Sequence, residues 1–190
     1  MARIIANQLH AELYSTTISR LLVDCNRSLR HPQLFSKYTK WLSVQEKQKI
    51  LTEHYLPYRN LTEQTVSRAI GLGGRVLHIS VHTFAPHMHG KVRNNDIGLL
   101  YDPARKSEKD FCTTWQQRLK EIGPKLRVRR NYPYLGKTDG LATSLRKKHD
   151  PQYYLGVELE VNQGLNIRSD RSNRLEVGEI LVRSVMATLS

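Results

Sequence analysis

The chain has 190 residues, with 39% hydrophobic and 25% charged, enough for a sizeable core and too apolar for a disordered polymer. It carries no apolar run long enough to span a bilayer, and no charged, apolar and small-residue leader opens it. Its two cysteines, Cys25 and Cys112, exclude a disulfide framework or a thiolate zinc site and fit a reducing cytoplasm. The outlier is a formal charge of +13, which suits an anionic partner from nucleic acid down to a small carboxylate, or simply a solvated basic surface. No zinc-finger spacing, RNP sequence or long basic helix accompanies the charge, so nucleic acid is not the expected partner.

In chain order, Ala2 to Leu13 reads as an amphipathic helix whose apolar pattern is already running at Met1, without an N-cap residue before it. Ile18 to Val23 reads as a short strand ending in Asp24-Cys25-Asn26-Arg27. Ser43 and Glu46 have the form of a capping box, predicting a helix to about His54. Pro57 breaks it, Thr62 to Ile70 is helical again, and Gly71, Gly73 and Gly74 end it. Arg75 to Val81 is the best central strand in the sequence. Then follow a histidine-rich loop (82–90), a strand from Asp96 to Tyr101, a helix from Glu108 to Ile122 and a basic strand from Leu126 to Arg130. A helix over Leu141 to His149, a strand from Tyr154 to Val161 and a helix from Glu176 to Leu189 complete the pattern. The alternation predicts one α/β domain over 1–190, with a mainly parallel or mixed sheet flanked by helices.

Ligands of open α/β sheets bind beyond the carboxyl ends of the strands. His82 follows the strongest strand and is the first candidate metal ligand; His87 and His89 lie in the loop beyond, and His78 reads as a core histidine. Glu158 and Glu160 are two apart on a strand and therefore share a face. They suit either a general base acting on water or the salt-bridged face of a half-exposed edge strand. Arg27, Arg93, Arg129 and Arg130 could clamp a carboxylate. Gly136 and Gly140 bracket a turn over Lys137-Thr138-Asp139 that lacks Walker spacing, and no Gly-x-Ser-x-Gly elbow or His-Glu-x-x-His helix is present.

Five stretches, SRLLVDCNRS (19–28), HISVHTFAP (78–86), KVRNNDIGLLYDPAR (91–105), RVRRNYPYLGKTDGLATSLR (127–146) and GVELEVNQ (156–163), occur in one order in a known family. The chain resembles the N-formylglutamate amidohydrolases, zinc enzymes whose fold is similar to zinc carboxypeptidases and aspartoacylases. The resemblance implies His82 as a zinc ligand and Glu160 as general base, with Glu158 in reserve. It also implies Asp24, Asn26 and Arg27 as a DxNR signature at the site, and Asn131, Tyr134 and Asp139 in a substrate-side loop, with Arg93 among the carboxylate-binding arginines. The implied reaction converts N-formyl-L-glutamate, or a related anionic N-acyl amino acid, to formate and glutamate within histidine degradation in the cytoplasm. Members of the family begin with a strand carrying an EHAG- or PHSG-like motif that is absent here. The resemblance thus implies a domain incomplete at its N-terminus, lacking zinc ligands and inactive or nearly so. The competing expectation is a non-catalytic, basic anion- or nucleic-acid-binding protein on the same fold.

Overall fold

The computed structural model describes residues 1–88, 90–165 and 169–190. In chain order its elements are α1 (Ala2–Leu9), α2 (Val44–Ile50), a π-helical turn (Leu51–Tyr55), α3 (Leu56–Gly71), β1 (Val76–Phe84), β2 (His87–Met88), β3 (Lys91–Val92), β4 (Ile97–Leu100), α4 (Lys106–Ile122), β5 (Val128–Arg130), α5 (Leu141–Arg146), β6 (Tyr154–Asn162), a 3-10 turn (Gln163–Leu165) and α6 (Arg171–Leu189). They form two compact units, each built from separate stretches of chain: one from 1–13, 77–137 and 155–190, the other from 14–76 and 138–154.

The first unit holds a mixed four-stranded sheet in the order β1-β6-β4-β5, with β4 parallel to β5 and antiparallel to β6. The core lies on one face of this sheet. Val157, Leu159 and Val161 of β6, with Ile97 and Leu99 of β4, pack against Ile5 of α1, Cys112, Trp115 and Leu119 of α4, and Val177, Leu181 and Val185 of α6. The fully buried Trp115 donates its indole N–H to Ser184 Oγ at 2.9 Å, so its one polar atom is satisfied. Leu77, Ile79 and Val81 of β1 pack on the same cluster. Strand side chains alternate between faces, so His78, Ser80 and His82 point the other way, as do Glu158 and Glu160.

Two buried carboxylates fix the ends of this sheet. Glu108, in the first turn of α4 and fully buried, accepts hydrogen bonds from the backbone N–H of Asp102 (2.9 Å) and of Gly156 at the start of β6 (3.1 Å), with Arg105 Nε at 3.5 Å. Asp96, just ahead of β4, accepts from Arg127 Nε, Nη2 and backbone N–H at 3.0, 2.9 and 2.8 Å, locking β4 to β5. Burial would raise the Asp96 carboxyl, but the hydrogen bonds and charge of Arg127 outweigh it and hold it below the usual carboxylate range. A carboxyl lowered in the folded state adds stability above its unfolded value of about 3.9, and that contribution disappears as pH falls through the folded value. Asp96→Asn should therefore lower Tm at neutral pH, and the gap to the parent should close as the pH of the melt is lowered through the folded carboxyl's depressed value.

The second unit is helical. Ser43 and Glu46 form the expected capping box, each side chain bonding the other's backbone N–H. Pro57 does not break the helix that follows. The π turn at 51–55 ends with Leu56 N–H bonding Leu51 C=O, five residues back, and Pro57 falls in the first turn of α3, where no N–H is required. Ile18 to Val23, expected as a strand, is irregular with one turn over residues 20–22. The hydroxyls of Thr16 and Ser19 capture the backbone N–H groups of Ile18 and Leu21, and Ser19 C=O accepts from Leu22, so the extended conformation loses to local bonding.

Four other expectations are corrected. β1 lies at one end of the strand order and is half-buried throughout most of its length, so the central strand is β6, whose nine residues are all buried. Leu77, Ile79 and Val81 alternate with His78, Ser80 and His82, a half-buried strand pattern that a run of branched residues had masked. His82 therefore lies within β1 and not beyond it. Glu158 and Glu160 do not sit on a half-exposed edge. α1 stops at Leu9, where His10 takes a left-handed conformation (φ 50°).

Candidate active site

The polar face of the sheet in the first unit gathers the chemistry. Glu158 and Glu160 are 9% and 6% exposed, and such buried carboxylates are uncommon enough to mark this face as the polar one of the sheet. Glu160 lies opposite Gly98 of β4, and Glu158 opposite Leu100. On β1, Ser80 Oγ and His82 Nε2 are 3.0 Å apart, a contact made possible by their two-residue spacing on one face. Ser80 was not legible as a site residue, although Ser-x-His on a strand places hydroxyl and imidazole side by side.

Gly98 is required here for a steric reason. A Cβ at that position would lie 2.3 Å from the Tyr132 carbonyl oxygen and 3.2 Å from Glu160 Cβ, so the 131–136 loop is seated directly on the strand beside Glu160. Gly136 does the same at the loop's other end, where a Cβ would meet Tyr101 N at 2.1 Å. Asn131 staples the loop: its Oδ1 accepts from Tyr101 and Gly136 N–H, both at 3.1 Å, while its own N–H bonds Leu99 C=O. It achieves this in a left-handed conformation (φ 48°) that asparagine tolerates better than most residues. Gly98→Ala should therefore push the loop backbone off the strand, and a fall in Tm of several degrees would register it.

The arginines divide by environment. Arg129, paired with Gly98 across the β4–β5 ladder, stacks its guanidinium 4.2 Å from the Tyr132 ring centroid. Arg130 is on the helical side of the sheet and bonds Thr113 of α4. Arg93 donates to Tyr134 Oη at 2.9 Å and stands 4.9 Å from that ring's centroid, so Arg93 and Tyr134 form one unit at the surface. His87 is exposed on β2, and His89 lies outside the described residues.

Asp24, Asn26, Arg27 and Asp139 come together in the second unit. Asp24 receives Arg20 Nη2 at 2.6 Å and the backbone N–H of Asn26 at 3.0 Å, with Arg27 Nε at 3.7 Å. Asn26 Oδ1 accepts from Leu141 N–H at 2.9 Å, at the start of α5. Arg27 Nη1 donates to Asp139 C=O at 3.0 Å, and Asp139 Oδ2 accepts from Ser28 N–H at 2.9 Å. Burial raises the Asp139 carboxyl, but the bonds from Ser28 and the charges of His31 and Arg27 overcome this and lower it. Most of these polar groups are thus engaged in joining the 24–28 loop to the 138–141 loop. Arg59, unremarked in the sequence, adds Nη1 to Asn26 C=O and Nη2 to Ser144 Oγ. Among the described residues, no three His, Cys, Asp or Glu side chains converge in an arrangement that could hold a metal ion.

The family model described as FGase, N-formylglutamate amidohydrolase, matches residues 1–166. The chain belongs to the N-formylglutamate amidohydrolase family. The fold agrees with two solved structures. A gene product of Agrobacterium tumefaciens, Atu2144, superposes with a TM-score of 0.81 at 25% identity, over 99% of this chain and 74% of that one. The N-formylglutamate amidohydrolase of Ralstonia eutropha JMP134 superposes with a TM-score of 0.68 at 18% identity, over 92% and 74%. No curated protein matches the sequence. As a member of the N-formylglutamate amidohydrolases the chain is an α/β amidohydrolase, and no helix among its described residues is long and apolar enough to cross a membrane.

Proposed function

We propose that this chain hydrolyses the amide of N-formyl-L-glutamate, or of a closely related N-acyl amino acid, with Glu160 as the general base. The observation that carries the assignment is the pair of buried carboxylates on the same sheet face as His82, within a chain of this family. Amide hydrolysis needs a base to take a proton from the attacking water and an acid to return it to the departing amine. One carboxylate can do both in turn, taking the proton from water and returning it to the amine. Glu160 is favoured over Glu158 because it lies beside the loop seated on Gly98, where a substrate would be flanked by polar backbone.

Arg93 is the proposed clamp for a substrate carboxylate, with Tyr134 holding its guanidinium in place and Asn131 fixing the loop that carries Tyr134. In the second unit Asp24, Asn26, Arg27 and Asp139 act in this reading by joining the 24–28 loop to the 138–141 loop. Zinc is the metal proposed for the site, with His82 as a ligand and polarisation of the formyl carbonyl as its chemistry. A catalytic zinc ordinarily takes about three protein ligands. The described residues do not supply that set, so they do not by themselves fit the metal.

The test is release of formate from N-formyl-L-glutamate, with N-acetyl-L-glutamate as the comparison and zinc in excess. Release of formate that is lost in Glu160→Gln supports the reading. Turnover that persists undiminished in the variant overturns the role of Glu160, and no release by the parent overturns the activity.

A further inference from the structure

Trp41 is 80% exposed, Tyr38 64% and Val44 79%, all within one short stretch of the second unit. The backbone there winds in helical turns, with Lys40 N–H bonding Ser36 C=O at 2.8 Å and Leu42 N–H bonding Thr39 C=O at 3.2 Å. Two rings and two lysines thus alternate within five residues of one exposed turn. Lys37 Nζ stands 5.0 Å from the Tyr38 ring centroid and Lys40 Nζ 4.5 Å from that of Trp41. Lys47 reaches back to donate to Lys40 C=O at 2.7 Å and adds a third ammonium. Glu46, the one acid between Ser36 and Gln48, has its carboxylate occupied by the Ser43 cap.

We infer that this surface, Lys37, Tyr38, Lys40, Trp41 and Lys47, binds single-stranded nucleic acid, with bases stacking on the two rings and phosphates paired with the lysines. Open aromatic rings interleaved with cations are the combination that sequence-tolerant single-strand binders use. Each ring here has an ammonium within reach, so a phosphate drawn to the lysine would bring its base to the exposed ring. The inference is independent of the amidohydrolase assignment, since none of these residues belongs to that site. It reverses the expectation from sequence, in which the missing motif set nucleic acid aside: a stacking platform on a turn has no motif to find.

The protein contains a built-in probe. Of its two tryptophans, Trp115 is fully buried and bonded to Ser184, so a change in fluorescence on adding a polyanion reports Trp41. Titration of the full chain with a short oligothymidylate at low salt should quench this emission, and log K should fall linearly with log salt. Trp41→Ala, an exposed change, should weaken binding measured by anisotropy of labelled oligonucleotide about tenfold or more. Lys37→Glu with Lys40→Glu should weaken it and flatten the salt slope. Absence of quenching, unchanged affinity in Trp41→Ala, or a blue shift with phosphatidylserine vesicles and no response to the oligonucleotide would each overturn the inference.

Discussion

Formate release from N-formyl-L-glutamate should fall by about 10²–10⁴-fold when Glu160 is replaced by glutamine, the range expected for loss of a general base. Glutamine keeps the size and one acceptor oxygen, so the loop seated on Gly98 meets the same side-chain volume and the thermal midpoint should change little. The contrast is therefore diagnostic: activity collapses while folding does not. Glu158→Gln serves as the internal comparison, and if it were the more damaging of the two, the assignment would move two residues along β6. Both variants are best measured across a pH range, because loss of a base removes the acid limb of the profile rather than displacing it.

The largest expected effect on stability belongs to a residue with no proposed part in the chemistry. Glu108→Ala removes a fully buried carboxylate and strands the N–H groups of Asp102 and Gly156, with the Arg105 guanidinium left beside an apolar gap. Breaking a buried, hydrogen-bonded charge pair by deleting one partner costs about 3–5 kcal/mol. That is a large share of the 5–15 kcal/mol by which a domain is typically stable. Chemical denaturation should show the midpoint shifted with its slope unchanged. Glu108→Gln should recover part of the loss, since an amide oxygen still accepts one N–H. A cost below 1 kcal/mol for the alanine variant would mean that water or a shifted backbone satisfies β6 in its place. The two predictions are linked through the strand: Glu108 anchors the start of β6, and Glu160 lies near its end.

What could be read from the sequence follows from how local each signal is. The capping box at Ser43 and Glu46 is settled within four residues and occurs as expected. The strand bearing Glu158 and Glu160 was evident from its apolar alternation, but its central place was not, because strand order depends on partners distant in sequence. Ile18 to Val23 failed for the opposite reason: branched apolar residues suggested a strand, while neighbouring hydroxyls decided for turns. Glu108 gave no sign of being buried, as its partners are backbone groups that no side-chain pattern records. Nor could the turn carrying Trp41 be distinguished from an ordinary basic loop until the exposure of its rings was known.

Gly98 has a bearing on how mutational maps of this family would be interpreted. It contributes no functional group, yet the absence of one is what lets the Tyr132 carbonyl settle beside Glu160. A scan scored only by turnover would rank position 98 alongside the acid itself, and the two would be indistinguishable by intolerance alone. Scored for folding as well, they should separate: Glu160→Gln keeps the shape of the site, whereas any side chain at position 98 meets the Tyr132 carbonyl.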